Sequence, residues 1–497
     1  MGKILEGLEP ASLWVHFFRI TQIPRCSKNE GKVRDYVEAV AARNALPFKV
    51  DRVGNIRVKK AAKPGRERGP VAVLQAHLDM VCEKNRKVIH DFARDPITLK
   101  REGDWLMAEG TSLGSDNGIG VAAALAIMEG NGIQHGPLEM LFTVDEETGL
   151  TGASALADDM LEGRVFFNLD SEAHGTIYIG CSGGRNTELF LDPQTERMPA
   201  GWLPVRVTVG GLQGGHSGLN IHEGRGNAIK LLARFLLNVG EELDIKLSVI
   251  DGGDKVNAIP RECEAIVCIS PDKMEGLKRF AATFQRIYKE EYGPNDRDVL
   301  IHVHGEGFKR PERVLLLDAQ HRLLDLLYSL PNGVIAMSRA IPGLVQTSSN
   351  LGVIKVEHGQ VHIGTSQRSS VETELAGISD MVAAVGRLAR AKIQKGAGYP
   401  GWQPDPRSPA LQLAKKVFLN LFGHEPQVTA IHAGLECGII GSKYPGMDML
   451  SFGPTILGAH SPNERILVPT VEQFWRFLVA MLENLPGLAQ GSADQEN

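Results

Sequence analysis

Five acidic or imidazole side chains in this chain, His77, Asp116, Glu147, Asp170 and His460, each follow an apolar, strand-like run or a glycine turn. Together they make the ligand set of a two-metal hydrolase. Two divalent cations held close together repel, so such a centre needs a bridging carboxylate, neutral imidazoles and further carboxylates to complete each shell. Asp116 suits the bridge, because it lies in Gly110-Thr111-Ser112-Leu113-Gly114-Ser115-Asp116-Asn117-Gly118, where glycines let the backbone approach a crowded centre. His77 and Asp79 are two apart and share a face of an extended chain, so Asp79 can accept the second ring N–H of His77 and fix its tautomer. In Glu146-Glu147, side chains at a strand end diverge, so one can bind metal while the other takes a proton from water. We assign the metal to Glu147 and the base to Glu146, an order that spacing alone leaves open.

The elements that must position these residues are apolar runs at 71–74, 140–144, 165–169 and 449–452. In an open α/β sheet such strands end along one edge, where ligands bind. Helix-like patterns at 9–20, 31–46 and 119–128 flank them. A second region follows residue 184, with a strand-like run at 205–209, a helix pattern at 227–239, an alternation at 247–250 and an amphipathic stretch at 274–292. The Gly/Pro-rich segment 396–404 marks a return. Because His460 completes a site whose other ligands precede residue 171, the middle region reads as an insertion. The expected fold is α/β: a catalytic domain with a mixed, largely parallel sheet flanked by helices, plus an inserted α+β lid domain. Residues 1–186 and 399–497 form the former and 187–398 the latter. A lid joined by two segments of chain can swing over a cleft and exclude water. No internal repeat is evident, and the polar tail Gln490 to Asn497 is expected to be disordered.

At 497 residues with 43% hydrophobic content, the chain has ample material for two or three cores. A formal charge of −5 without a basic stripe argues against a nucleic-acid partner. The six cysteines are scattered with no Cys-x-x-Cys, which argues against a thiolate zinc site and a disulfide scaffold and for a reducing compartment. No leader-like start is present, position six is Glu6 rather than the Ser or Thr of a myristoylation signal, and no apolar run approaches the roughly 20 residues of a membrane span. The expected location is cytoplasmic.

Taken singly, each motif has a bland reading: a hydrogen-bonded His-x-Asp, a solvated Glu pair, a turn-forming Asp. Their joint order resembles a known family. His77-Leu78-Asp79-Met80-Val81, Ser115-Asp116-Asn117-Gly118, Asp145-Glu146-Glu147-Thr148-Gly149 and Leu169-Asp170-Ser171-Glu172 are similar to the di-zinc peptidases that include carboxypeptidases, aminoacylases and carnosinases. Gly214-Gly215-His216-Ser217-Gly218, Asn257-Ala258-Ile259-Pro260, Thr347-Ser348-Ser349-Asn350-Leu351-Gly352, His432-Ala433-Gly434-Leu435-Glu436-Cys437-Gly438 and His460-Ser461-Pro462-Asn463-Glu464-Arg465 resemble its aminoacyl-histidine dipeptidase (peptidase D) branch. The resemblance implies one metal on His77, Asp116 and Asp170 and the other on Asp116, Glu147 and His460. It implies Glu146 as general base, His216 as oxyanion donor and Arg368 as a clamp for the dipeptide's carboxylate, a task that suits a guanidinium fork. Asn257 and Glu436 are further substrate-site candidates: Asn257 either contacts substrate or shapes the turn before Ala258-Ile259-Pro260, and Glu436 either holds an ammonium group or pairs with a neighbouring cation. The implied cofactor is two divalent ions per chain, zinc first, with cobalt or manganese able to fill the same shells. The implied partners are a small dipeptide and a second copy of the chain, joined through the inserted domain, with no membrane or nucleic acid. Whether His216 acts within its own chain or across the dimer stays open.

The implied reaction is hydrolysis of unblocked dipeptides, Xaa-His and β-alanyl-histidine preferred, by a metal-bridging hydroxide. An N-acyl amino acid deacylase or broader aminopeptidase could use the same centre. A non-catalytic metal-binding scaffold is the alternative from another class, but it has no need of Glu146 beside the ligands. Gly180-Cys181-Ser182-Gly183-Gly184 matches the Gly-x-Ser-x-Gly elbow of serine hydrolases, yet an elbow leads into a helix and the residues that follow alternate as a strand does.

Overall fold

The computed structural model describes residues 2–305, 310–357 and 359–487, so the tail from Gln490 lies outside the described residues. The chain divides into two compact units. The outer unit runs to Gly180 and resumes at Pro404–Ala430 and from Leu435, while the inserted unit comprises Cys181–Gln403 and Ile431–Gly434.

The outer unit is built on an eight-stranded sheet in the spatial order 48–50, 56–60, 138–143, 72–77, 165–168, 448–451, 176–181, 427–431. Its four central strands, Leu138–Thr143, Ala72–His77, Val165–Asn168 and Asp448–Ser451, pair in parallel. Every residue of the first three is buried. That is why they read as continuous apolar runs rather than as alternation. Antiparallel strands close the sheet on both sides. The helix Ser115–Glu129 is buried nearly all round, as its apolar run from Ile119 to Met128 requires. The fold is therefore α/β with a parallel centre and a mixed periphery.

The inserted unit has a nine-stranded sheet. Two βαββαβ halves make up most of it. One consists of Leu203–Gly210, the helix Ala228–Leu243, Lys246–Gly252, Cys263–Ile269, the helix Met274–Tyr292 and Leu300–His304. The other consists of Gly183–Leu191, the helix Leu317–Ser329, Val345–Glu357, Gln360–Ser369, the helix Glu372–Leu388 and Lys392–Lys395. Each half orders its strands second, third, first, fourth, and the two second strands meet where Gly252 pairs with Ile354. This is a structural repeat, and the sequence hides it because one half is interposed between the first strand and first helix of the other. In the helix Met274–Tyr292 the buried residues Leu277, Ala281, Phe284 and Tyr288 form one stripe. Asn227 caps Ala228–Leu243 by accepting from Ile229 N and Lys230 N.

Cys26 and Cys82 form a disulfide across 56 residues of sequence, with Cα atoms 5.7 Å apart. The scattered cysteine spacing gave no hint of this pairing; among the described residues one bridge, rather than a disulfide scaffold, is present. The loop after the helix Ala11–Thr21 meets the segment after His77, where Cys26 bridges to Met80, and that tertiary contact sets the two sulfurs side by side. No helix among the described residues is long and apolar enough to cross a membrane.

Candidate metal centre

His77 ends its strand, Glu146 and Glu147 follow the strand Leu138–Thr143, Asp170 follows Val165–Asn168, and His460 lies in a loop after Asp448–Ser451. These four strands deliver the residues to the C-terminal edge of the parallel sheet. Ligand-type atoms of His77, Asp116 and Asp170 lie within 4.8 Å of one another, and so do those of Asp116, Glu147 and His460. Asp116 belongs to both groups. Its Oδ1 is 3.0 Å from His77 Nε2 and its Oδ2 is 3.1 Å from His460 Nε2. His460 Nε2 is also 2.9 Å from Glu147 Oε2, and His77 Nε2 is 3.3 Å from Asp170 Oδ1. A third group joins His77, Glu146 and Glu147, so Glu146 stands beside the ligands without sharing a group with His460.

Burial and crowding of like charges set the electrostatics of this donor set. Burial pushes the Glu146 carboxyl well above its usual value, with Asp170, Glu436 and Glu147 adding to it against His77. Burial likewise pushes Asp170 up to about 6. Hydrogen bonds to Asp116 and Glu147 push His460 up to about 11. Burial works against a charged His77, but Asp170, Asp116 and Asp79 overcome it and hold the imidazole well above its ordinary value. Glu147 Oε1 and Asp170 Oδ1 are buried without a hydrogen-bond partner. Buried carboxylate oxygens that compete for imidazolium protons fit divalent cations, which carboxylate and imidazole ligate together.

Several residues hold this arrangement. Asp79, fully buried, accepts from Glu146 N at 3.0 Å, Glu147 N at 3.2 Å and Ser27 Oγ at 2.8 Å. Its Oδ1 lies 3.4 Å from His77 Nδ1, an ion-pair separation rather than an aligned hydrogen bond. Sequence reasoning missed two more. Glu464 takes the backbone N–H groups of Leu113, Gly114, Ser115 and Asp116, together with the Ser115 hydroxyl, and so fixes the turn that presents Asp116. Arg25, fully buried, donates to Leu78 O, Asp79 O and Gly114 O and ties the His77 segment to that turn. An acid four residues after His460 was the one available signal for Glu464; nothing local marks Arg25. Glu436 has no exposed surface, and its Oε2 accepts from Gln75 and Thr143.

In the inserted unit, Gly214 and Gly215 take φ of +65° and +139°, values open chiefly to glycine, and turn the chain into His216. His216 Nδ1 accepts from Gly218 N and Leu219 N, which places the ring proton on Nε2. Arg368, on the strand Gln360–Ser369 of the other half, brings Nη2 to 3.5 Å from that Nε2. Two donors facing one space repel unless an anion sits between them. Burial, then Arg368, lowers His216 to about 4, so the ring is neutral near neutrality. Arg368 is 7% exposed, donates to the Tyr399 hydroxyl, and leaves Nε buried without a partner. With Asn257 and Tyr399 it lines a trough of about 910 Å³. Ser182 is no exposed nucleophile: it is buried between two strands and bonded to His432, whose other ring nitrogen meets Ser348.

The sequence profile of Peptidase family M20/M25/M40 matches residues 73–484. Over 482 residues the chain is 40% identical to the cytosol non-specific dipeptidase of Escherichia coli K12, covering 97% of this chain and 99% of that one. The crystal structure of aminoacylhistidine dipeptidase from Vibrio alginolyticus superposes with a TM-score of 0.90 at 40% identity, over 97% of this chain and 98% of that one. An aminopeptidase from Bacillus cereus shares the fold at 14% identity and a TM-score of 0.56, over 96% of this chain and 99% of that one. The chain belongs to peptidase family M20/M25/M40.

Proposed function

We propose that this peptidase hydrolyses unblocked dipeptides, with preference for Xaa-His including β-alanyl-histidine, at a centre of two divalent ions. The observation that carries the reading is the pair of ligand groups sharing Asp116. The names of two relatives that match nearly the whole chain support the substrate class. His77, Asp116 and Asp170 would hold one ion and Asp116, Glu147 and His460 the other, with zinc, cobalt or manganese suited to such shells. Bound there, the ions would supply Lewis acidity, polarising the scissile carbonyl and acidifying water. Glu146 takes the proton of the attacking water and passes it to the leaving amine. Asp79 orients His77 and, through the Glu146 and Glu147 amides, the base itself. His216 donates its Nε2 proton to the developing oxyanion, a neutral donor wherever the pH is above about 4. Arg368 reads the substrate carboxylate, and Asn257 lines the same trough.

A cytoplasmic location agrees with the name of the Escherichia coli relative. A homodimer through the inserted unit finds support in its strand Gly333–Met337, which pairs on one side with Val345–Glu357 and exposes Val334, Ile335 and Met337.

The deciding experiment is hydrolysis by metal-stripped protein titrated back with zinc, cobalt or manganese. It compares β-alanyl-histidine, other Xaa-His dipeptides, an N-acetyl amino acid and a tripeptide. Turnover of dipeptides that saturates near two ions per chain is expected. Faster cleavage of the N-acetyl substrate would replace the dipeptidase reading with a deacylase, and faster cleavage of the tripeptide with a broader aminopeptidase. For Arg368→Leu the expected result is a fall in kcat/KM of about 10²–10³-fold, carried mostly by KM, because the substrate carboxylate then lacks its buried partner. The variant should also treat a dipeptide and its C-terminal amide alike; continued preference for the free carboxylate would move the clamp elsewhere.

A further inference from the structure

The four parallel strands beneath the candidate metal centre carry polar side chains where a buried sheet ordinarily places apolar ones. Thr143, Gln75, Asn168 and Ser451 each have no exposed surface. Gln75 lies beside Asn168 in register, and Asn168 beside Ser451. Their side chains join across the strands. Ser451 Oγ donates to Asn168 Oδ1 at 2.5 Å, Asn168 Nδ2 to Gln75 Oε1 at 2.6 Å, and Gln75 Nε2 to Glu436 Oε2 at 2.5 Å. Thr143 Oγ1 sends a second hydrogen to the same Glu436 oxygen at 2.8 Å. At the far end Ser171 Oγ lies 2.6 Å from Ser451 Oγ. From Ser451 onward every hydrogen in the ladder points one way, and Glu436 Oε2 is where the donors end.

The ladder's members sit next to the ligands. Gln75 precedes His77 by two residues, Asn168 precedes Asp170 by two, and Ser171 follows Asp170 directly. Thr143 pairs with His77 across the sheet. Adjacent parallel strands are held together by backbone bonds, but a twisted sheet still leaves freedom in how their ends splay. A chain of side-chain bonds that crosses the strands removes that freedom where it matters.

We infer that Glu436 is a positioning residue: as terminal acceptor of this cross-sheet ladder it fixes the separation of His77 and Asp170, and with it the affinity of the metal position they share. The inference rests on the two-metal reading above. Glu436 uses its two oxygens unequally, since Oε1 is buried without a partner. Glutamine can therefore stand in for it, with its carbonyl in place of Oε2. Leucine cannot, because Gln75 and Thr143 then lose their acceptor.

The test is competition between apoprotein and a chromophoric zinc chelator. Groups that orient metal ligands typically change affinity by about 10–100-fold when removed. For Glu436→Leu, one of two zinc ions should bind about 10–100-fold more weakly while the other stays within about 3-fold. Glu436→Gln should keep both affinities within about 3-fold, a rescue that simple loss of a buried charge would not give. In a His460→Ala background, which leaves the His77–Asp116–Asp170 position alone, Glu436→Leu should still weaken the remaining ion. Ser451→Ala trims the ladder's far end with little risk to folding and should weaken the same ion by a smaller factor. Unchanged affinities in both Glu436→Leu and Ser451→Ala would overturn the inference, and so would a glutamine variant as impaired as the leucine one. If Glu436→Leu does not fold, Ser451→Ala and Glu436→Gln decide by the same criteria. Unsubstituted protein that takes up fewer than two ions would instead refute the two-metal reading itself.

Discussion

Glu146→Gln is expected to take up two divalent ions as the unsubstituted protein does while its kcat falls about 10²–10⁴-fold, the range that removing a general base costs. The amide keeps the size of the side chain and loses the capacity to accept a proton. The expectation is demanding because Glu146 is near enough to compete as a ligand: it forms a possible metal group with His77 and Glu147. What sets Glu147 apart is its contact with His460, 2.9 Å from Oε2, which completes a group with Asp116. The matched experiment is metal content and single-turnover rate for Glu146→Gln and Glu147→Gln side by side. Glu147→Gln should lose an ion. A Glu146→Gln protein that loses an ion while Glu147→Gln keeps both would reverse the two roles.

Much of the outer unit was legible because its strands are buried on both faces, and burial of that kind writes uninterrupted apolar runs into the sequence. The helix Met274–Tyr292 was legible for the opposite reason, since one face alone is buried and the stripe repeats with the helical period. The residues singled out around the metal centre are ones the structure gathers, because strand ends in a parallel sheet share an edge wherever they fall in sequence. What the sequence could not display is contact that obeys no period. Glu464 serves a turn 349 residues earlier, and nothing near Leu113 announces it. His432 meets Ser182 across 250 residues and Ser348 across 84. The disulfide joins two loops that also meet through the Arg25 hydrogen bonds to Leu78 and Asp79. The repeat in the inserted unit is a matter of strand order alone, interrupted by its own copy. Glu436 stood out in the sequence only as a possible partner for an ammonium group or a neighbouring cation; that it is buried and accepts from Gln75 and Thr143 depends on contacts across 361 and 293 residues.

Asp116→Asn is expected to remove both ions and to lower turnover by at least on the order of 10³-fold, the scale of losing preorganised charge stabilisation at a reacting centre. Each Asp116 oxygen faces a different imidazole, His77 at 3.0 Å and His460 at 3.1 Å. Asparagine can offer an oxygen to one side only, because its amide nitrogen is a donor. The second consequence is electrostatic. Two divalent ions repel about four times as strongly as two unit charges at the same distance, and the shared carboxylate is the negative charge placed to offset it. Losing that charge along with a ligand oxygen should therefore weaken binding at both positions. His460→Ala provides the contrast: it removes a ligand from one group and leaves His77, Asp116 and Asp170 complete, so one ion should remain. Metal analysis of the two variants after equilibration against a weak chelator separates these cases. If Asp116→Asn still holds two ions, the two groups are independent sites rather than one bridged centre, and the hydrolytic reading would have to be rebuilt on a single metal.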